Sequence, residues 1–168
     1  SSEVITGPLS DLLKDKDMSM IILPDSTQPD TQDYQGLKSW VEKGGTLLRF
    51  AGDNLVSENT PQLLPVKIYG GERNFGGAMS WDTPAKLGGL AEGTPLSSLI
   101  SGLTSLGDFT INQQVLARPA IDLEEKSWAW IEDQSPLITH AEFGKGNSIL
   151  VHTSADKSWS DMAISEFF

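Results

Sequence analysis

The strongest constraint on the fold is a pair of apolar runs that flank an amphipathic helical pattern. The first run, "MSMIILPD", ends in a Pro-Asp turn, and the second, "TLLRF", follows a glycine pair. Strand, helix and strand in this order indicate a βαβ unit with parallel strands and a right-handed crossover. The apolar residues between the two runs recur at the spacing of one helical face: Tyr34, Leu37, Trp40 and Val41.

The second half of the chain has a different pattern. From roughly residue 65 to 147 it is rich in glycine, proline and alternating apolar and polar residues, which favours short antiparallel strands and turns. The last apolar run, "SILVH", is expected to return to the main sheet. We therefore predict an α/β fold of three layers around a mainly parallel sheet, with an antiparallel β-rich extension at 65–147.

Composition limits the kinds of partner. The formal net charge is −11 over 168 residues, which disfavours nucleic acid because no basic patch is available to neutralise phosphates. The chain has no cysteine, so disulfides, thiolate metal sites and a cysteine nucleophile are excluded. No run of 18 apolar residues is present, so we expect no membrane insertion by this segment. No motif predicts a cofactor, and "YGGERNFGGAM" lacks the spacing of a phosphate-binding loop.

The ends of the chain bear on its organisation. It starts "SSEVITG" without methionine and stops at "ISEFF" within an apolar pattern. We expect a single domain over residues 1–168 that belongs to a longer protein.

The loops at the carboxyl ends of the strands form the first candidate site. Open α/β sheets bind ligands at this edge, and polar residues follow three of the apolar runs. Several carboxylates in one crevice would favour a cation or the hydroxyls of a sugar over an anion. The predicted ligand-binding residues are Asp25, Gly52, Asp53, His152, Asp156, Trp159 and Asp161.

Two chemical alternatives use the same loop. His152 and Ser154 would share a strand face, which allows a hydrolase with His152 as base and Ser154 or a water as nucleophile. The chain lacks the Gly-x-Ser-x-Gly elbow of many such enzymes, so we predict no catalytic residue. A hard divalent ion held by His152, Asp156 and Asp161 is a further possibility, but the ligand spacing is weak support and we predict no metal site.

Tryptophan gives a second kind of candidate surface. Trp128 and Trp130 alternate on one strand and are expected on the same face, whereas Trp81 and Trp159 are expected in loops. A tryptophan-lined polar surface can stack on sugar rings or on a protein partner. Core filling is the favoured interpretation, because tryptophan is highly buried on average.

Three segments of the chain resemble a known family. "IILPD" with "LKSWVEKGGTLLRFAG" looks like the βαβ core of class I glutamine amidotransferase-like domains, which are flavodoxin-like. With "FGGAMSWDTPAKL" and "PLITHAEFGKGNSILVHTSADKSWSDMAISEFF", it resembles the form of that domain found in bacterial membrane proteins that have an aerotolerance-regulator-type N-terminal double-transmembrane segment.

The resemblance implies a lost active site. In glutamine amidotransferases the strand matching "TLLRF" leads to a catalytic cysteine, whereas this chain has the turn "FAGDN" and no cysteine. It therefore implies a non-catalytic interaction or ligand-binding module of a bacterial inner-membrane protein, on either side of the membrane. A protein partner or other domains of the same membrane protein would bind it, and a purely structural spacer is the remaining alternative.

Overall fold

The computed structural model describes residues 4–58, 62–70, 78–95 and 109–162, with only the backbone described at 78–83. The described helices are short except for one of 12 residues, and the described strands form one sheet. The helices are α1 (Leu9–Leu12), α2 (Thr31–Glu42), α3 (Asp53–Ser57) and α4 (Leu123–Lys126). The strands are β1 (Met20–Leu23), β2 (Thr46–Phe50), β3 (Ala78–Leu90), β4 (Thr110–Val115), β5 (Ser127–Ile131), β6 (Pro136–Phe143) and β7 (Gly146–Val151).

The sheet is mixed. Its seven strands run in the order β1-β2-β7-β6-β5-β3-β4. β1, β2 and β7 pair in parallel, whereas every pairing from β7 through β6, β5 and β3 to β4 is antiparallel. The predicted βαβ unit is confirmed, and so is the return of the last apolar run to the main sheet as β7.

Local signals explain the βαβ unit well. Asp30 is the N-cap of α2, and its side chain accepts a hydrogen bond from the backbone N–H of Asp33 at 2.7 Å. The buried face of α2 comprises Tyr34, Leu37 and Val41, which pack with Ile21 and other residues of β1 and β2. This helical layer lies on one face of the parallel strands.

The antiparallel half closes over the segment that follows β7. Residues 152–162, here called the post-β7 segment, bond to β4 although they are distant from it in sequence. The backbone N–H of Val115 donates to the carbonyl of His152 at 2.8 Å, and that of Asn112 donates to the carbonyl of Trp159 at 2.7 Å. Ile111, which is fully buried, also forms a bridge with Ser160. β4 therefore covers the carboxyl end of β7.

This architecture corrects the predicted fold class. The prediction of a three-layer α/β fold with a mainly parallel sheet is wrong, because four of the six pairings between the described strands are antiparallel and one long helix is described. The β-rich region is an integral part of the same sheet and not an added extension. Trp81 lies within the long strand β3 and not in a loop. The glycine-rich residues 71–77 lie outside the described residues.

Candidate functional site

The carboxyl ends of β1 and β2 meet as parallel strands require. Asp25, after β1, accepts hydrogen bonds from the backbone N–H groups of Asn54 at 3.0 Å and Leu55 at 2.9 Å. A Cβ on Gly52 would lie 2.5 Å from a carboxylate oxygen of Asp25, so this close approach requires glycine. Asp53 is exposed beside them at the first residue of α3. The structure thus brings these predicted residues together, with Asp25 acting as a cap for a five-residue helix.

His152 is a fully buried, fully hydrogen-bonded side chain. Its Nδ1 lies 2.8 Å from the carbonyl oxygen of Val115, and its Nε2 lies 2.9 Å from Oγ1 of Thr139. A carbonyl only accepts, so Nδ1 carries the proton and Nε2 accepts from the threonine hydroxyl. Burial lowers the pKa of His152 from 6.5 to about 4, although the bond to Val115 acts in the opposite direction. The imidazole is therefore neutral at pH 7 and links β7 to β4 and β6.

Ser154 does not face His152 as a nucleophile would. Its hydroxyl accepts a hydrogen bond from the backbone N–H of Asp156 at 3.2 Å, and its carbonyl accepts one from Ser160 Oγ at 2.6 Å. Both ring nitrogens of His152 are bonded to other groups. The residues proposed for a hydrolase are neighbours in sequence, but each makes the hydrogen bonds of a folded loop.

The other predicted residues of the post-β7 segment have structural contacts as well. Asp156 accepts hydrogen bonds from the backbone N–H of Ser158 at 2.9 Å and from its hydroxyl at 2.6 Å, and these bonds lower the pKa of the Asp156 carboxyl. Asp161 accepts from the backbone N–H and the hydroxyl of Thr110 at the start of β4. Trp159 is 3% exposed.

Trp159 connects the post-β7 segment with the helix that follows β2. It packs in a buried cluster with Leu55 and Val56 of α3, Val115 of β4 and Leu150 of β7. Trp159 therefore connects the post-β7 segment to α3, but the imidazole of His152 and the indole of Trp159 lie in the core. No group of three metal-ligating side chains occurs within the described ranges. A ligand at this edge stays a prediction.

An open groove lies on a different part of the sheet, beside β3 and β5. Its volume is about 740 Å³, within the usual range for small-ligand sites. We call it the Trp130 groove. Its lining residues come from β3, β5, the loop and helix before β5, and the turn after it: Gly88, Gly89, Ala120, Ile121, Leu123, Glu124, Ser127, Trp130, Ile131, Glu132, Gln134 and Pro136.

Trp130 and Trp128 have different environments despite their even spacing. Trp128 is 8% exposed and stacks on His140, with ring centroids 4.0 Å apart, whereas Trp130 is only partly buried and lines the groove. The pairing of β5 with β6 is irregular between Ala129 and Trp130. Such β-bulges redirect side chains. Core filling is confirmed for Trp128, while Trp130 contributes to a surface.

Glycine shapes the wall opposite Trp130. The β3–β5 pairing is irregular between Leu87 and Gly89, and a Cβ on Gly88 would lie 2.5 Å from the carbonyl oxygen of Ile131. Gly89 faces the Trp130 ring, because a Cβ built there would be 3.8 Å from a ring carbon. The two glycines leave one wall of the groove without side chains. The sequence contained a signal for this wall, because a glycine pair stands in the strand that pairs with the tryptophan-containing strand.

A buried network around Arg49 was not predicted from the sequence. Arg49, which is 2% exposed, donates to Tyr34 Oη at 2.8 Å and to the carbonyl of Gln62 at 3.0 Å, and it lies 3.7 Å from Glu58. Tyr34 in turn donates to the Glu58 carboxylate at 3.0 Å. Burial raises the pKa of Tyr34, while the nearby arginine opposes this rise. The arginine within the apolar run "TLLRF" was the signal, because a charge in a buried strand needs partners.

Comparison with solved structures places this fold beside proteins of very different sequence. "Cytoplasmic Protein STM3548 from Salmonella typhimurium" superposes with a TM-score of 0.64 at 14% identity, over 93% of this chain and 67% of that one. Cytoplasmic protein STM1381 from the same organism gives 0.57 at 13% identity, over 84% and 62%. The chain thus spans about two thirds of their lengths.

Gan42B, a GH42 β-galactosidase from G. stearothermophilus, gives a TM-score of 0.50 at 12% identity, over 80% of this chain and 19% of the enzyme. At these identities the likeness concerns the fold alone. No protein-family model matches the chain, and no curated protein matches its sequence.

These neighbours correct two expectations. The resemblance to a glutamine amidotransferase-like, flavodoxin-like domain with an aerotolerance-regulator context is wrong, because the chain is similar in structure to the two Salmonella proteins and has a mixed seven-stranded sheet. Both of those proteins are described as cytoplasmic, which contradicts the expectation of a domain of a bacterial inner-membrane protein. Among the described residues, no helix has the length and hydropathy to cross a membrane.

Proposed function

We propose that this chain is a non-catalytic binding module that holds its ligand in the Trp130 groove. The observation that carries the proposal is the groove itself: about 740 Å³ beside a partly exposed tryptophan. Ligand sites combine concave shape, aromatic surface and a few polar groups, and the groove has all three. The predicted partner, a protein or another domain, belongs to the same proposal.

The alternative, a hydrolase based on His152, has less support from the geometry. A general base must reach the proton that it removes, but His152 is 0% exposed and both of its ring nitrogens are bonded within the fold. Its pKa of about 4 makes it a weak base at neutral pH. Ser154, its supposed partner, is 8% exposed and bonded within its own loop.

The spacer alternative predicts that no ligand class binds. It is distinguished from a binding module by thermal unfolding against a panel of peptides, oligosaccharides, nucleotides and divalent ions. A ligand that binds only the folded state raises the midpoint, with about 2.7 kcal/mol of stabilisation at a hundredfold excess over its dissociation constant. We expect at least one class to raise the midpoint of the unmodified protein.

A matched pair of tryptophan variants locates the binding. Trp130→Phe changes the groove, whereas Trp40→Phe changes a tryptophan on α2 that is also partly buried. We expect the midpoint shift to be lost in the first variant and kept in the second. A shift lost equally in both, or a panel without any effect, would contradict the proposal. Turnover of ester or amide probes that disappears in His152→Gln would favour the hydrolase instead.

A further inference from the structure

We infer that the ligand of the Trp130 groove is a basic polypeptide segment, which places a Lys or Arg side chain against Trp130 and near Glu124 and Glu132. The inference rests on the proposed function and adds the chemical class of the partner. It follows from the charge of the groove, the exposed aromatic ring and the apolar residue at the rim.

The charge of the groove has one sign. Its lining residues include two carboxylates, Glu124 and Glu132, and no lysine, arginine or histidine. Both side chains are exposed, and neither forms an ion pair with another residue of the described ranges. The nearest lysine in sequence, Lys126, is bound to Asp122 at 2.8 Å. With a net charge of −11 on the whole chain, the groove attracts cations and repels anionic ligands.

The aromatic ring selects among cations. Trp130 packs across Gly89, and its remaining surface lines the groove. A guanidinium or ammonium group over a tryptophan face gains a cation–π interaction, which is strongest for tryptophan among the aromatic side chains. A bare metal ion gains little from this ring. In addition, the described residues contain no cluster of three metal-ligating side chains.

The size of the groove and its rim favour a polypeptide over a single amino acid. A volume of about 740 Å³ exceeds the volume of one arginine side chain, so the groove has room for neighbouring residues of the ligand. Ile121 at the rim is 106% exposed, and Leu123 lies beside it in the lining. These side chains offer apolar contact to a ligand residue adjacent to the cation, as in an alternation of basic and apolar residues.

The test uses blocked six-residue peptides of defined charge. The probes are acetylated and amidated peptides that alternate leucine with arginine, lysine or glutamate, and cellohexaose serves as an uncharged, hydroxyl-rich probe. Isothermal titration calorimetry with the full chain measures the dissociation constants at low and at physiological salt. We expect binding of the arginine and lysine peptides only, weakened by salt because charges at the surface are screened.

Charge-matched variants separate a site from general attraction. The double variant Glu124→Gln/Glu132→Gln removes two charges from the groove. The double variant Asp11→Asn/Asp17→Asn removes two exposed charges elsewhere; both residues precede β1, which lies four strands from β5, roughly 19 Å away. We expect about tenfold weaker binding in the groove variant and in Trp130→Ala, and less than twofold change in the control and in Trp40→Phe.

The possible outcomes have distinct meanings. Equal weakening in both double variants would mean nonspecific attraction and would overturn the inference. Cellohexaose binding that depends on Trp130 would also overturn it, yet would leave the proposed binding function intact. If no peptide binds at millimolar concentration, the inference fails. If none of the wider ligand classes raises the unfolding midpoint either, the proposed function fails as well.

Discussion

His152 should make the protein less stable in mild acid, and the size of the effect follows from its burial. The side chain is 0% exposed, and burial lowers its pKa from 6.5 to about 4. Above pH 6.5 the imidazole is neutral in both the folded and the unfolded chain. Between pH 6.5 and 4 the unfolded chain binds a proton that the folded chain excludes, so the free energy of unfolding falls as the pH falls. Below pH 4 this contribution levels off.

The magnitude is large for one residue. A change in pKa from 6.5 to about 4 corresponds to roughly 3 kcal/mol of stability lost across that pH window. Small domains are stable by about 5–15 kcal/mol in total. The loss from His152 alone is therefore a substantial fraction of the total, about a fifth to three fifths.

The assay is urea unfolding at half-unit steps from pH 7 to pH 4.5, in the unmodified protein and in His152→Gln. Glutamine keeps an amide N–H for the Val115 carbonyl but does not titrate, so the difference between the two curves isolates the imidazole. Carboxylates that titrate at acid pH contribute to both curves and cancel. His140→Gln is the control; burial also lowers the pKa of His140, but its partly exposed ring makes the expected effect smaller.

Parallel curves for the unmodified protein and His152→Gln would refute the reasoning. So would an NMR titration in which the His152 ring protons shift with a midpoint near 6.5, because that value belongs to an imidazole in water. The ¹⁵N shifts of the same ring also report the tautomer, for which we expect the proton on Nδ1.

Three further substitutions test the packing that positions the site. Arg49→Met should cost about 2–4 kcal/mol in urea unfolding, because it leaves Glu58 without its charge partner; Arg49→Lys should recover part of the loss, and a neutral result would contradict the network. Gly146→Ala should abolish stable folding, as judged by circular dichroism, because the new Cβ would overlap the carbonyl oxygen of Val41. Asp25→Ala should lower the free energy of unfolding by about 1–2 kcal/mol through loss of the α3 cap, whereas unchanged stability would mean that the cap is dispensable.

The parts of the fold that the sequence predicts correctly are those with local causes. The helix at 31–42 has an Asp30 cap, an apolar face at helical spacing and a glycine pair behind it. β1 and β2 are continuous apolar runs on either side. Each of these signals lies within a few residues of the element that it predicts. The meeting of Asp25 with Gly52 then follows from the parallel pairing of the two strands.

The error in fold class arose where contacts are distant in sequence. The βαβ unit suggested a mainly parallel main sheet with the antiparallel strands in a separate extension, but the place of β5, β6 and β3 within that same sheet depends on pairings that no local pattern specifies. The bond between Val115 and His152 joins residues that are separated in sequence by a helix and three strands. Because β4 covers the post-β7 segment through such bonds, His152 and Asp161 make hydrogen bonds to β4 or to its neighbours. The composition of this segment alone resembled a ligand site.

The same reasoning explains why the groove was not anticipated as a site. Even spacing put Trp128 and Trp130 on one face, and the rule holds only for a strand without a bulge. The irregular pairing at Trp130 and the opposing glycine depend on three strands at once. What the sequence did offer was a combination: a glycine pair at Gly88–Gly89, a tryptophan at position 130, and the carboxylates of Glu124 and Glu132. Alternation predicts where a side chain points, and a departure from alternation next to glycine is the more informative sign that an aromatic side chain lines a groove.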